Sequence, residues 1–457
     1  MLSIGLGRRD FLRVGGLTLG GLSLPALLES KAIAESAGLT TDRSVIFLFL
    51  HGGPSQIETF DPKMGAPAEI RSATGEVQTR IPGITFGGSF AKLAKLADRV
   101  SIVRSFLTGD ANHDIKPIVS KDSFGANLGS LYAHVAGMSD PVSGMPTNAA
   151  LFPQAVDPNA QPYQTSFGNF LATGGFGGAV APFVPGGGGQ MQKNLKLAMP
   201  QDRLDDRRGL LKSLDCMKSS LDQAERAGLD GVREKAFRIL LGTVAEAFDL
   251  AREPSKVIER YDTAPLVRPE NISKKWNNRK FYIDNAKTLG KLLLLARRLC
   301  EKGCRFVTVT TNFVWDMHAD VNNATMTEGM GYMGLPLDHA LSAFLKDVEA
   351  RGLSDKILLV ACGEMGRTPK INKKGGRDHW GNLAPLLLAG GGLNMGKVVG
   401  QSNRTGGEPA TEPVTIKNLI ATIIHSLFDV GQLRILRGLP REMQPLTEWN
   451  PIPGLGA

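Results

Sequence analysis

The stretch KILLVACGEMGRTPKINKKGGRDHW, residues 356–380, decides how this chain folds. After Lys356, the five residues Ile357 to Ala361 are apolar without alternation, the pattern of a strand buried on both faces. Glu364, Arg367, Arg377, Asp378 and His379 follow, spaced by glycines and lysines. A buried strand that ends in so much charge predicts an α/β sheet with its ligand chemistry beyond the strands' carboxyl ends.

The same pattern recurs along the chain. SVIFLFL (44–50), VSIV (100–103), RFVTVTT (305–311) and APLLLA (384–389) are near-continuous apolar runs. Helical spacings separate them. Leu337, Ala340, Leu341, Phe344, Leu345 and Val348 recur every three or four residues over 337–351, and Gly352 ends the pattern. Ile283, Ala286, Leu289, Leu293, Ala296 and Leu299 do the same over 281–302, with Gly303 as the stop, and TIKNLIATIIHSLF (415–428) is a late helix. Alternating strands and helices predict an α/β sandwich around a mostly parallel sheet. Residues 168–190, GNFLATGGFGGAVAPFVPGGGGQ, read as a long glycine-rich loop, and the charged 201–262 as a helical insertion.

A length of 457 residues, 42% hydrophobic and 21% charged, fits a globular chain with one large domain and insertions, or two domains. The net charge of +9 is scattered, with no basic run and no interleaved aromatics, which suits anionic ligands and argues against nucleic acid. Four cysteines without a CxxC are too few for a disulfide scaffold.

The N-terminus reads as an address. Arg8 and Arg9 followed by Asp10, Phe11 and Leu12 resemble the twin-arginine export motif. A short glycine-interrupted apolar run leads to Ala32-Ile33-Ala34, a small-residue cleavage site, so residues 1–34 are expected to be a signal peptide read by the twin-arginine export machinery. That run is too short for a stable membrane span, which needs about 20 apolar residues. The expected location is periplasmic or secreted.

The strand ends hold the candidate chemistry. After 44–50 comes HGGPSQIETFDPK, after 100–103 RSFLTGDANHD, and after 305–311 NFVWDMHAD. Asp316 and His318, two apart on an extended segment, share a side. With Glu364, Asp378 and His379 they form an oxygen and nitrogen set suited to Zn, Mn, Mg or Ca. The same residues also fit a salt-bridge network, Asp378 with Arg377 or Arg367. Arg104 and Arg367 are candidate anion clamps, since guanidinium matches phosphate and sulfate, or partners of local carboxylates. Ser55 either meets substrate beside two glycines or caps a helix in the S-x-x-E pattern with Glu58. His113 is a candidate acid, base or ligand. His339 and His425 fall inside helical patterns and read as structural.

RRDFLRVGG, LFLHGGPSQIETFDPK, ADRVSIVRSF, NHD, WDMHAD and GEMGRTPKINKKGGRDHWG stand in the order and spacing of the bacterial domain of unknown function 1501 family, which the chain resembles over nearly its whole length. Members look like exported relatives of the alkaline phosphatase superfamily, which includes sulfatases and phosphodiesterases. The resemblance implies a three-layer α/β/α sandwich over 43–457, with divalent metal held by Asp316, His318, Glu364, Asp378 and His379. Residues and resemblance together lead to the expectation of a hydrolase of phosphate or sulfate esters, with Arg104, Arg367 and Ser55 binding the ester, His113 and Arg367 acting in catalysis, and a metal-bound water preferred over Ser105 or Thr108 as nucleophile. Two positions depart from the family pattern: Glu58 stands where Asp is usual and Met365 where Phe is usual. Ser105 and Thr108 lie where the superfamily places a nucleophile, without its surrounding motif. The alternative is a non-catalytic relative that binds a sulfated or phosphorylated polymer or another envelope protein, and a third reading is a structural envelope protein.

Overall fold

Val45, Ile46, Phe47, Leu48 and Phe49 are all fully buried, and they form the centre of the sheet. The computed structural model describes residues 38–186, 243–310, 312–435 and 444–456. The expected signal peptide, residues 187–190 of the glycine-rich stretch and 201–242 of the expected insertion lie outside them. The strands are β1 (Ser44–Phe49), β2 (Glu76–Gln78), β3 (Thr85–Gly87), β4 (Ser101–Val103), β5 (Asn148–Leu151), β6 (Phe306–Thr310), β7 (Ile357–Cys362), β8 (Gly366–Arg367), β9 (His379–Trp380), β10 (Leu386–Gly390) and β11 (Val398–Val399). Seven make one sheet in the order β11-β4-β10-β7-β1-β6-β5. All run the same way except β10, which is antiparallel to both neighbours. The mostly parallel sheet read from the sequence is present.

Register sets the working edge. Phe49 on β1 lies opposite Thr310 on β6 and Cys362 on β7, so three parallel strands end level. The residues that follow them, His51 and Gly52, Asn312 to His318, and Glu364, therefore emerge side by side. Because β10 runs the other way, the segment that precedes it, with His379, reaches the same edge.

Helices cover both faces. The helices that matter to the site and the two cores are α1 (Gln56–Thr59), α2 (Ala91–Ala94), α3 (Leu128–Ala136), α4 (Arg279–Glu301), α5 (Met326–Ala350) and α6 (Ile416–Leu427). Strand side chains alternate between faces. Ile46, Leu48, Val307, Val309 and Leu359 share a core with Leu292 and Leu295 of α4 and Leu337 and Leu341 of α5. Val45, Phe47, Phe49, Leu358 and Val360 share the other with Leu131 of α3 and Leu419 and Ile423 of α6. Each such side chain contributes about 1.5–3 kcal/mol by leaving water.

α5 starts eleven residues before the pattern that reveals it, at Met326, and includes Pro336. Proline leaves one carbonyl of the preceding turn without its donor. Burial of Met330, Met333 and Leu337 holds the helix through that point, and Thr325 caps its start by accepting from the Glu328 N–H at 3.2 Å. An ion network joins the two long helices: Arg297 reaches Glu253, Glu301 and Asp347, and Arg298 and Arg351 also reach Glu253. Cys300, Cys304 and Cys362 are buried free thiols. No helix of the described residues is long and apolar enough to cross a membrane.

Candidate metal centre

The turn after β1 must pass close under the loop that follows β6. Gly52 has φ +112°, and a Cβ there would stand 2.6 Å from the Asp316 nitrogen. Only glycine fits both the conformation and the space. The His51 carbonyl accepts from the N–H groups of Val314 and Trp315, which ties the two strand ends together. Asn312 (φ 65°) and Ala319 (φ 58°) bracket the Asp316–His318 loop with left-handed backbone, uncommon for residues with a Cβ.

β8 and β9 pair antiparallel, with Arg367 opposite His379. Between them the chain loops out and docks on the His318 loop. Asn372 donates to the His318 carbonyl at 3.0 Å, and the Arg377 N–H to the Met317 carbonyl at 3.1 Å. The buried Arg377 guanidinium grips Glu58 at 2.9 Å and the carbonyls of Ile70 and Arg71. This anchor stands two residues before His379.

Three ligand atoms converge. His113 Nε2 and His379 Nε2 are 2.9 Å apart, and Asp316 Oδ1 lies 3.0 Å from His379 Nε2 and 3.5 Å from His113 Nε2. His113, Asp316 and His379 thus form a group able to hold a metal ion. Metal–ligand bonds of about 2.0–2.1 Å, at angles of roughly 90–109°, separate neighbouring ligand atoms by about 2.9–3.4 Å. Two edges of the triangle fall in that range, and the third, His113 Nε2 to Asp316 Oδ1 at 3.5 Å, is just above it. Two imidazole nitrogens this close to one carboxylate oxygen suit a shared cation.

His113 and Asp316 are held from behind. His113 Nδ1 lies 2.9 Å from Glu364 Oε1, and fully buried Glu364 also accepts from the Gly52 N–H at 2.9 Å. A carboxylate on the far nitrogen orients a ligating imidazole and fixes its tautomer. Asp316 Oδ1 accepts from Arg367 Nη2 at 2.7 Å, and Oδ2 meets His318 Nε2 at 3.0 Å and Asn323 Nδ2 at 3.1 Å. Burial would raise the Asp316 pKa, but the Arg367 charge and the bonds from His113, His318 and His379 drive it well below the usual carboxylate range. For His113, burial pulls the pKa down, and Asp316 and Glu364 outweigh it, so the imidazole rises above 6.5.

Residues 42–435 match the family described as protein of unknown function (DUF1501). The chain belongs to this family. No curated protein matches it in sequence. Among solved structures, Ps i-CgsB in complex with k-i-k-neocarrahexaose is similar at a TM-score of 0.33 and 9% identity, over 90% of this chain and 78% of that one. The lipoteichoic acid synthase LtaP from Listeria monocytogenes is similar at 0.32 and 8% identity, over 86% and 77%. Likenesses this remote carry no argument about what the DUF1501 chain does.

The expected site residues divide into two groups. Asp316, His318, Glu364 and His379 come together, and His113 joins them as a corner of the triangle. Asp378 does not: it is exposed and accepts from Asn372 Nδ2 at 3.0 Å. Neighbouring strand residues point to opposite sides, so Asp378 turns out where His379 turns in. Arg104 is engaged elsewhere, donating to the carbonyls of Phe60 at 2.6 Å and Thr85 at 3.0 Å. Ser55 is buried and caps α1, accepting from the Glu58 N–H at 3.3 Å. Arg367, fully buried, donates to the carbonyls of Gly52, Gly53 and Arg377 as well as to Asp316, so it holds the site rather than clamping an ester. Ser105 lies against Gly400, and Thr108 faces the Gly381 carbonyl at 3.5 Å.

Sequence reasoning missed three features. His51 is fully buried among Phe49, Phe170 and Phe313, and burial pushes its imidazole down to about 4. Asn323 steadies Asp316 from seven residues away. Phe167 and Phe313 stack into a wall beside His113. The adjacency of NHD, WDMH and RDHW to strand ends was the available signal for His113; the aromatic wall had none.

Proposed function

We propose that this protein is an exported metal-dependent hydrolase of phosphate or sulfate esters on an anionic substrate, with the alkaline phosphatase-like sandwich that its motifs resemble. The convergence of His113 Nε2, His379 Nε2 and Asp316 Oδ1 carries the reading. Those three residues would hold one divalent ion, of the Zn, Mn, Mg or Ca class, and His318 borders it through the second oxygen of Asp316. A bound divalent cation supplies Lewis acidity toward an ester oxygen.

The chain's own residues prepare that chemistry. Glu364 Oε1 takes the hydrogen bond of His113 Nδ1–H, which leaves the Nε2 lone pair facing the other ligands. Arg367 balances the charge of Asp316 and fixes which oxygen faces the histidines. The Glu58–Arg377 pair holds the strand that presents His379. Purified protein is expected to hold about one equivalent of divalent metal per chain and to turn over an aryl sulfate or an aryl phosphate.

One observation favours a second reading. Among the described residues, the candidate hydroxyl Thr108 and the expected clamps Arg104 and Arg367 face other partners, and the candidate hydroxyl Ser105 is buried against Gly400. A metal-loaded relative that binds an anionic polymer without cutting it fits that arrangement. Metal content with no turnover of either aryl ester selects it. Localisation outside the cytoplasm, proposed from the twin-arginine motif, is tested by fractionating cells that carry the Arg8, Arg9→Lys, Lys variant.

A further inference from the structure

Phe167 has no part in holding the ion, yet it stands against a ligand. Its ring lies 5.3 Å from that of His113, and it stacks on Phe313 at 4.3 Å with the planes 23° apart. Phe313 is buried and edge-on to His113 at 4.6 Å. Phe167 itself is half-buried. One side of the metal centre is therefore an aromatic wall whose outer ring meets solvent.

The placement is built. The Gly168 N–H donates to the Thr165 carbonyl at 3.3 Å, closing a tight turn around Phe167. Gly168 has φ +151°, and a Cβ there would come within 2.6 Å of the Ile115 side chain. Ile115 is two residues from His113, so the turn that carries Phe167 is docked on the segment that carries the ligand. Thr165 and Ser166, the two residues before Phe167 in the chain, are exposed and carry hydroxyls.

We infer that Phe167 is the platform for a pyranose ring bearing the ester, so that the ligand is a sugar sulfate or sugar phosphate. An aromatic face takes up the apolar C–H face of a sugar, and a few polar groups around it orient the hydroxyls. Thr165 and Ser166 supply those groups, and the anionic substituent faces His113. This inference rests on the ester-binding reading of the metal centre.

The test is calorimetric binding to metal-loaded protein, with glucose 6-sulfate and glucose 6-phosphate as ring esters and inorganic sulfate and phosphate as controls. Phe167→Ala is expected to weaken the ring esters about tenfold and leave the inorganic ions unchanged. Phe167→Trp, which keeps an aromatic face, is expected to retain ring-ester affinity, and an unchanged melting temperature shows that both variants fold. Equal affinity of wild type and Phe167→Ala for the ring esters, with inorganic ions still bound, overturns the platform alone. Tighter binding of p-nitrophenyl phosphate than of glucose 6-phosphate, lost in Phe167→Ala, overturns the sugar assignment in favour of an aryl ring. Failure of metal-loaded wild type to bind any of these anions overturns the ester-binding reading and the platform with it.

Discussion

Arg367 Nη2 donates to Asp316 Oδ1 at 2.7 Å, the same oxygen that His379 Nε2 reaches at 3.0 Å. One carboxylate oxygen thus joins a buried guanidinium to the metal triangle. Removing Arg367 leaves a buried carboxylate unpaired, a change that typically costs about 3–5 kcal/mol. Arg367→Met is expected to lower stability by that order and weaken metal binding. Arg367→Lys rescues little, because one ammonium cannot match the forked donors that reach Gly52, Gly53 and Arg377. Chemical denaturation and metal titration check both.

Asp316 and Asp378 look alike in sequence, each with a histidine close by. Asp316→Asn removes a corner of the triangle and is expected to lower metal affinity by at least about tenfold, since even supporting residues around an ion contribute that much. Asp378→Asn, on an exposed side chain, is expected to leave it unchanged. Metal titration of the two variants in parallel decides.

Gly52 is the point where the β1 turn passes under Asp316. Gly52→Ala places a methyl group against backbone in a conformation that costs about 1–3 kcal/mol by itself. Loss of folded protein, or a lower melting temperature with weaker metal binding, is the expected result.

Metal uptake should depend on His113. Its pKa lies above 6.5 in the metal-free protein, so it keeps a proton that an ion must displace. Affinity is therefore expected to fall as pH drops through that raised value. The protonated His113 also stabilises the metal-free fold, fully below pH 6.5 and less as pH rises through the raised value. Glu364→Gln removes one source of the rise, so its uptake midpoint is expected to move to lower pH in a titration followed by metal binding.

The Glu253 network sets an acid limit on stability. Burial would raise the Glu253 carboxyl, but Arg297, with Arg298 and Arg351, pulls it from 4.5 to about 2. A depressed carboxylate stabilises the fold above pH 4.5, and that contribution is lost as pH falls toward about 2. Between roughly pH 5 and pH 3, the melting temperature of Glu253→Gln is expected to fall less than that of wild type.

Much of the architecture is legible locally. The runs 44–50, 100–103, 305–311, 356–361 and 384–389 each mark a strand to within a residue at its end, because two-sided burial leaves an unmistakable apolar signature. Orientation is not local, so nothing in APLLLA announced that β10 runs against its neighbours. The long helix α5 was half visible, since Pro336 masks a turn that tertiary packing holds. The meeting of Asp316, His318, Glu364 and His379 at one sheet edge was legible because they lie in the segments beyond strand ends. The true partners of Arg104 and Arg367 were not: Arg367 meets a carbonyl 314 residues away, at Gly53, and its burial follows from that long-range fit. Alternation along a strand was the overlooked clue that Asp378 and His379 face opposite ways.

The central claim is that His113, Asp316 and His379 hold a metal ion, and elemental analysis of purified protein tests it most directly. Wild type, loaded with divalent metal and then desalted, is predicted to retain about one equivalent per chain, and Asp316→Asn and His379→Ala to retain little while still unfolding cooperatively. Wild type that retains no metal, or folded variants that retain as much as wild type, would contradict the account.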